Sequence, residues 1–337
     1  MTTPMIAVDE IDVSFVIIAF NEAENIERCL DAIHAQDGLT DSYEIIVVDD
    51  GSTDATARIV RECSRVDGRV RLVGDGENHG RGTARAIGVA HARGRLVAMV
   101  DGDIRVPAHW YSTCAAELAH LDGVGGRAVP DGDVAFVHRA LRLPAKPREG
   151  TTAITGNNGM FRRTVFDRVT YDPSLRNGED VEFNERAVDA GLAFATLPDL
   201  TVEHCETKSY IDSLSWLFES GAGAAQQLQR TRRWRTPDIV FVGWLACIAA
   251  TIVSARRSGR VRHLAAPLVA TATIAAVHHA QRFRPAPSNL ARYGVGWVID
   301  TTLVSAYLAG RCTGHARLVH RSLWSRDHCS GPDDGGT

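Results

Sequence analysis

The stretch Arg95-Leu96-Val97-Ala98-Met99-Val100-Asp101-Gly102-Asp103 is an apolar run that ends abruptly in two carboxylates around a glycine. A nearly continuous apolar run of this length reads as a strand buried on both faces. Similar runs precede it at Val13-Ser14-Phe15-Val16-Ile17-Ile18, Tyr43-Glu44-Ile45-Ile46-Val47-Val48 and Val70-Arg71-Leu72-Val73. Helical patterns lie between them. Ile26, Leu30 and Ile33 follow Asn21-x-x-Glu24, which reads as a capping box, and Ile59, Val60 and Cys63 follow Ser52-Thr53-Asp54. Alternation at this pace predicts an α/β fold with a parallel, doubly wound sheet and a ligand site at the carboxyl ends of its strands. The polar clusters obey that rule. Asn21-Glu22 follows the first strand, Asp49-Asp50-Gly51-Ser52 the second, residues 75–82 the third and Asp101-Gly102-Asp103 the fourth.

Two residues apart in an extended chain, Asp101 and Asp103 point the same way and can approach one cation. Gly102 between them leaves room for a diphosphate. Hard oxygen ligands select Mg²⁺ or Mn²⁺, whose shells are completed by phosphate oxygens and water. A solvated turn uses the same residues, so the companion motifs matter. Asp49-Asp50-Gly51-Ser52 can accept hydrogen bonds from a base and a ribose, or Asp50, Ser52 or Thr53 can cap the next helix. Asn78-His79-Gly80-Arg81-Gly82, with Arg85, is a glycine-bearing loop entering a helix, an arrangement that favours phosphate.

Beyond Pro130 the alternation weakens, and a Pro-rich stretch through Pro144 and Pro147 leads to Thr155-Gly156-Asn157-Asn158-Gly159-Met160-Phe161. Asn177-Gly178-Glu179-Asp180 opens a further helix that runs to Gly191. Residues 209–229 form a helical pattern with Tyr210, Leu214, Leu217 and Phe218 on one side, expected to lie on a bilayer. Apolar segments follow at 239–255, 264–280 and 294–310, each near the lower limit of about 17 residues for spanning. The last contains Asp300, which costs about 2.5 to 3.5 kcal/mol at a helix centre. A helical core subdomain or a re-entrant hairpin is the alternative. Arginines flank every segment, Arg256, Arg257, Arg260 and Arg262 among them, so charge gives no clean topology. The expected organisation is a catalytic domain at 1–208, a basic juxtamembrane segment at 209–236, two to three membrane helices at 237–312 and a polar tail at 313–337.

Composition sets bounds on function. The 337 residues carry a formal charge of -4, unevenly: 22 basic against 36 acidic residues up to Ala225, and 15 against 5 after it. An acidic domain followed by a basic, apolar tail points to a membrane surface and away from nucleic acid. The seven cysteines are scattered, with no Cys-x-x-Cys pair and no zinc-ligand spacing, as in a reducing compartment. The first apolar run has no basic segment ahead of it and is too short for a signal peptide core, so the catalytic domain is expected to face the cytoplasm.

Taken in order, these motifs resemble the inverting family 2 glycosyltransferases of the GT-A fold. The resemblance rests on Val16-Ile17-Ile18-Ala19-Phe20-Asn21-Glu22, Val47-Val48-Asp49-Asp50-Gly51-Ser52-Thr53-Asp54, Asn78-His79-Gly80-Arg81-Gly82-Thr83-Ala84-Arg85, Asp101-Gly102-Asp103 and Gly178-Glu179-Asp180, and covers roughly residues 13–205. It implies a nucleotide-diphosphate sugar donor lined by Ala19, Asn21, Glu22, Asp50, Ser52, Gly80, Arg81, Arg85 and Asp101. Asp101 and Asp103 would hold Mg²⁺ or Mn²⁺, with His204 where many members carry a histidine. Asp180 would be the catalytic base, with Glu179 able to substitute, and Asn157, Asn158 and Arg162 would lie on the acceptor side. Gln229 and Arg233 are spaced unlike the Gln-x-x-Arg-Trp motif of processive members, so a single transfer is expected. The implied activity is an EC 2.4 type transfer to a lipid-linked acceptor, a polyprenyl or dolichyl phosphate or a lipid-linked glycan, at the cell membrane. One alternative is a nucleotidyltransferase, which would need a Gly-rich loop where Ala19-Phe20-Asn21-Glu22 stands. Another is a catalytically silent nucleotide-sugar-binding scaffold, against which the intact Asp101, Asp103 and Asp180 argue.

Overall fold

The computed structural model describes residues 11–40, 42–130, 154–205, 210–258, 265–282 and 290–327. The Pro-rich stretch with Pro144 and Pro147, and Arg260 and Arg262, lie outside the described residues. There are two compact units, the first holding the described residues from 11 to 205 and the second those from 210 to 327.

In the first unit, strands β1 (Val13–Ala19), β2 (Tyr43–Asp49), β3 (Val70–Val73) and β4 (Leu96–Asp101) pair in parallel in the order β3-β2-β1-β4. Every residue of β1 and β2 is buried, which is why their sequences are apolar without alternation. Helices α1 (Ile26–His34), α2 (Thr56–Val66) and α3 (Arg81–His91) make the crossovers. The apolar clusters on the two faces of the sheet are built around Phe15, Ile17 and Trp110 on one side and Val16, Met99 and Phe183 on the other.

These four strands are parallel as expected, and the continuation, where the sequence alternation weakens, adds antiparallel pairings. Strand β7 (Asn158–Arg162) runs antiparallel to β4, β6 (Gly123–Pro130) antiparallel to β7, and β8 (Phe194–His204) parallel to β6. The short β5 (Ile104–Arg105), which precedes α4 (Trp110–Glu117), pairs antiparallel with the end of β8 and closes an eight-stranded mixed sheet. Helix α5 (Glu179–Asp189) opens where the Asn-Gly-Glu-Asp cluster predicts. The capping box at Asn21-x-x-Glu24 does not form, because α1 begins at Ile26 behind Asn25 without a side-chain cap. Asn21 is held elsewhere, in a left-handed turn with φ of 58° and its amide oxygen on Thr53 N.

The amino ends of the strands are held by one buried carboxylate. Glu44 is 2% exposed and accepts hydrogen bonds from Ser14 Oγ (2.7 Å), Arg93 N (2.8 Å), Arg93 Nη2 (2.8 Å) and Arg71 Nη2 (2.9 Å). Burial pushes its carboxyl up, but the hydrogen bonds from Arg93 and Ser14 outweigh burial and hold it below the ordinary carboxylate range. A depressed folded value means the stabilisation is complete above the unfolded value, about 4.3, and is lost as pH falls through the folded one. Glu44→Gln should therefore lower unfolding stability by about 1 to 3 kcal/mol at pH 7 and weaken its acid dependence below about pH 4. Urea titrations at pH 7 and pH 3 check this; equal losses at both would contradict it.

The second unit is helical: α6 (Tyr210–Thr231), α7 (Thr236–Ser258), α8 (Ala265–Arg282) and α9 (Leu290–Asp327). Helices α6 and α9 touch through small residues. A Cβ on Gly221 would sit 2.1 Å from the Tyr307 carbonyl oxygen, and one on Gly310 would sit 1.8 Å from that of Phe218. The residues that α6 buries fully are small or polar, Ser213, Gly221, Gly223, Ala225 and Gln227, while Tyr210, Leu214, Leu217 and Phe218 are half-buried. Asp300 is buried against His279 at 2.6 Å, which answers the cost that the sequence sets on it. Asp238 is buried against Arg311. Among the described residues, one helix, Thr236–Arg257, is long and apolar enough to cross a membrane by length and composition. Residues 266–280 form a shorter apolar helix.

Candidate functional site

The polar clusters meet at the carboxyl ends of β1, β2 and β4. Asp50 N donates to the Ala19 carbonyl (2.9 Å) and Gly102 N to that of Ile18 (2.9 Å). A side chain at Gly102 would come within 3.2 Å of Glu22 Cγ and 3.3 Å of Ala19 Cβ. The loop after β1 thus packs tightly against this glycine, so that an added Cβ would have to be met by a shift of the Glu22 side chain. The loops after β1 and β2 are latched together: Asn21 N donates to Ser52 Oγ (2.9 Å), Ala23 N to Asp54 Oδ2 (3.1 Å) and Glu22 N to Thr56 Oγ1 (2.8 Å). Asn21 and Ser52, read from sequence as nucleotide contacts, spend these groups on each other's loops. Helix α2 takes Asp54 Oδ1 on Thr56 N (2.9 Å), so none of the three predicted caps is used.

Asp50 is 9% exposed and receives the backbone N–H groups of His79 (2.8 Å) and Gly80 (3.0 Å). Burial pushes its carboxyl up against the pull of those donors. The start of α3 differs from the phosphate cradle expected there. Arg81 N donates to the Arg176 carbonyl (3.2 Å) and Gly82 N to that of Leu175 (3.1 Å), so the first N–H groups of the helix are already satisfied by protein. Gly82 is a packing requirement, since a Cβ would lie 2.2 Å from the Leu175 oxygen. Gly80, with φ of 92° and its N–H on Asp50, shapes the turn.

Arg85 also departs from its assignment. Its side chain is 2% exposed and forks to Glu179 Oε1 (2.8 Å), Asp101 Oδ1 (2.9 Å) and the Gly156 carbonyl, with Tyr171 beneath it. Burial disfavours its charge, and the Asp101 and Glu179 carboxylates outweigh burial and hold it cationic. The other arginine of the motif, Arg81, stands half-buried at the start of α3 and makes no side-chain hydrogen bond or ion pair among the described residues. It acts on Glu179 through its charge, which places it beside the same cluster.

Asp103 is 6% exposed, and its Oδ2 lies 2.9 Å from His204 Nε2. Register explains the meeting, because β5 pairs Ile104 with His204 and Cys205 N donates to the Asp103 carbonyl (2.7 Å). Asp101, Asp103 and Glu22 together make a negative centre. The buried Cys29 thiol beneath them is pushed well up, by burial first and then by these three carboxylates. The donor set suits a hard divalent cation: Asp103 and His204 stand side by side and the local field is negative. Asp101 is bound to Arg85, and among the described residues no cluster of three metal-ligating side chains is assembled.

Glu179 and Asp180 open α5 and face different partners. Glu179 is 2% exposed, its carboxyl pushed up by burial against the pull of Arg85. Asp180 is half-buried and accepts Gly156 N at 3.2 Å and Val181 N at 2.8 Å. Asn184, one turn on, binds the Ile154 backbone through Ile154 N (3.0 Å) and the Ile154 carbonyl (2.7 Å), clamping the 154–158 segment to α5. The sequence signal for this clamp is the i+4 spacing of Asn184 from Asp180, whose carbonyl Asn184 Nδ2 also binds (2.7 Å). The acceptor-side expectations divide. Asn157 is half-buried with its amide oxygen lacking a hydrogen-bond partner among the described residues. Asn158 is fully buried under Trp110 Nε1 (2.7 Å). Arg162 is misassigned: it pairs with Leu96 at the opposite end of β4 and binds the carbonyls of Leu121 and Ala119.

The family model described as Glycosyl transferase family 2 matches residues 14–170. Glycosyltransferase AglE of Haloferax volcanii is 29% identical over 226 residues, 64% of this chain and 73% of that protein. The succinoglycan biosynthesis protein ExoO of Rhizobium meliloti is 32% identical over 214 residues, 57% of this chain and 60% of that protein. Among solved structures, mannosyltransferase PcManGT from Pyrobaculum calidifontis in complex with GDP-Man and Mn²⁺ superposes with a TM-score of 0.61 at 21% identity, covering 91% of this chain and 87% of that one.

Proposed function

Residues 14–170 are a family 2 glycosyltransferase domain on a GT-A fold, and from that premise we propose that the chain moves one sugar, with inversion, from a nucleoside diphosphate donor to a lipid-linked acceptor. The observation that carries the reading is a single buried side chain, Arg85, joining the carboxylate at the end of β4 to the first turn of α5, where Asp180 stands. Donor-side and base-side groups are thereby set in one rigid cluster. The latched loops after β1 and β2 offer a backbone-lined seat for the nucleoside, with Asp50 fixing its rear wall. Arg81 is the cation available to the diphosphate, since Arg85 is committed to its two carboxylates. Asp103 and His204 would hold Mg²⁺ or Mn²⁺, which supplies charge neutralisation to the departing diphosphate. Asp180 takes the proton of the acceptor hydroxyl as the new bond forms on the face opposite the leaving group.

The second unit supports a lipid acceptor, because it buries paired ionisable groups and exposes large apolar side chains. Asp238, Arg311, His279 and Asp300 are 0–1% exposed, whereas Ile239, Leu268, Val269 and Val298 are 60–73% exposed. Such a helical bundle keeps its ionisable groups paired inward and its apolar side chains toward lipid. Membranes containing the full chain should pass labelled sugar into an organic-extractable fraction when given polyprenyl phosphate or its glycosylated forms. The donor is found first by screening nucleotide sugars for metal-dependent thermal stabilisation. Label confined to water-soluble product would defeat the lipid assignment and leave the transferase.

A further inference from the structure

Arg85 poses an energetic question that its neighbours do not answer. A buried ion pair is weak as a source of stability, and apolar residues of similar volume often serve as well or better. What a guanidinium offers that an apolar side chain or an ammonium does not is a planar fork with fixed directions. All three branches are used here, each on a different segment. Nε meets Glu179 at the start of α5, Nη2 meets Asp101 at the end of β4, and Nη1 meets the Gly156 carbonyl in the turn before β7. Gly156 is shaped to this contact, since a Cβ there would stand 2.7 to 2.9 Å from Nη2, Cζ and Nε of the guanidinium. The N–H of that glycine holds Asp180 Oδ2. Arg85 therefore reaches Asp180 by two routes, through its sequence neighbour Glu179 and through Gly156.

We propose that Arg85 is the positioning residue of the transfer reaction, fixing Asp180 relative to the donor-side Asp101 without touching the nucleotide. This rests on Asp180 being the base. Its consequence is a separation of binding from turnover: displacing the fork should misplace the base while leaving the nucleoside seat intact. Misplacement by about 1 Å costs on the order of 10²-fold in rate.

The test uses Arg85→Lys, which keeps the charge but cannot span three partners, and Gly156→Ala, which leaves every charged group in place and displaces the guanidinium. Both full-length variants should show kcat reduced about 10- to 100-fold, with the dissociation constants of UDP or GDP in the presence of Mn²⁺, read by calorimetry, within about threefold of the unaltered chain. The double variant should be no slower than the worse single one, as for groups acting through one link. Hydrogen exchange of the 154–158 segment should quicken in both, a readout that needs no turnover. Loss of nucleotide affinity parallel to the loss of rate would make Arg85 a donor ligand and overturn the proposal. So would unchanged kcat with only a lower melting temperature, which would make it a fold residue. Absence of transfer by the unaltered chain would instead remove the reading of the site as a transferase.

Discussion

Asp180→Asn should reduce kcat by about 10² to 10⁴-fold while leaving nucleoside diphosphate affinity within about threefold. The carboxylate accepts Gly156 N at 3.2 Å and Val181 N at 2.8 Å, and an asparagine oxygen can take over one of these without moving α5. The variant therefore loses proton acceptance with little change of shape. Glu179, beside it, cannot stand in, because Arg85 holds its carboxylate out of solvent at 2.8 Å. Single-turnover rates with saturating donor, set against calorimetric binding of the nucleoside diphosphate, separate the two quantities. A collapse of donor affinity would move Asp180 to the donor side. The anomeric configuration of the product gives a second check, since retention is incompatible with one displacement assisted by one base.

The strands that carry the site were legible because they are buried on both faces, which leaves no polar residue inside 15–18, 45–48 or 97–100 to blur the pattern. Their ends were legible for the same reason: a carboxylate after such a run has nowhere to be but the rim. The antiparallel half was not, since Asn158-Gly159-Met160-Phe161-Arg162 is short and its pairing with β4 is a tertiary fact with no local signature. Residue roles failed where one motif can serve two purposes. Gly80-Arg81-Gly82 is as suited to receiving the 175–176 carbonyls as to receiving phosphate, and only the fold decides between them. Arg85 reads as a phosphate or donor contact because its actual partners, Glu179 and Gly156, lie 94 and 71 residues away. The buried pairing of Asp300 with His279 is of the same kind: the sequence states the cost of the charge and leaves its partner unnamed.

Chelation should abolish turnover, and Asp103→Ala should lower kcat/KM by about 10² to 10³-fold or more, the scale of losing one preorganised electrostatic partner of a developing charge. Asp103, Asp101 and Glu22 crowd around the Cys29 thiol and push it up after burial has done so. A doubly charged diphosphate brought to such a centre would be repelled unless a cation came with it. Arg85 does not provide relief, because its charge is already matched by Asp101 and Glu179. Asp103 Oδ2 lies 2.9 Å from His204 Nε2, and neutral imidazole is compatible with sharing a divalent ion. The readout independent of turnover is linkage. UDP or GDP should raise the melting temperature of the unaltered chain far more with Mn²⁺ than with chelator, since stabilisation follows RT ln(1 + [L]/Kd). In Asp103→Ala the two curves should converge, with the melting temperature of the nucleotide-free protein within a few degrees of the unaltered chain. Full activity in excess chelator, or an undiminished Mn²⁺ effect in the variant, would show that the diphosphate is neutralised by protein cations alone and would transfer that role to Arg81.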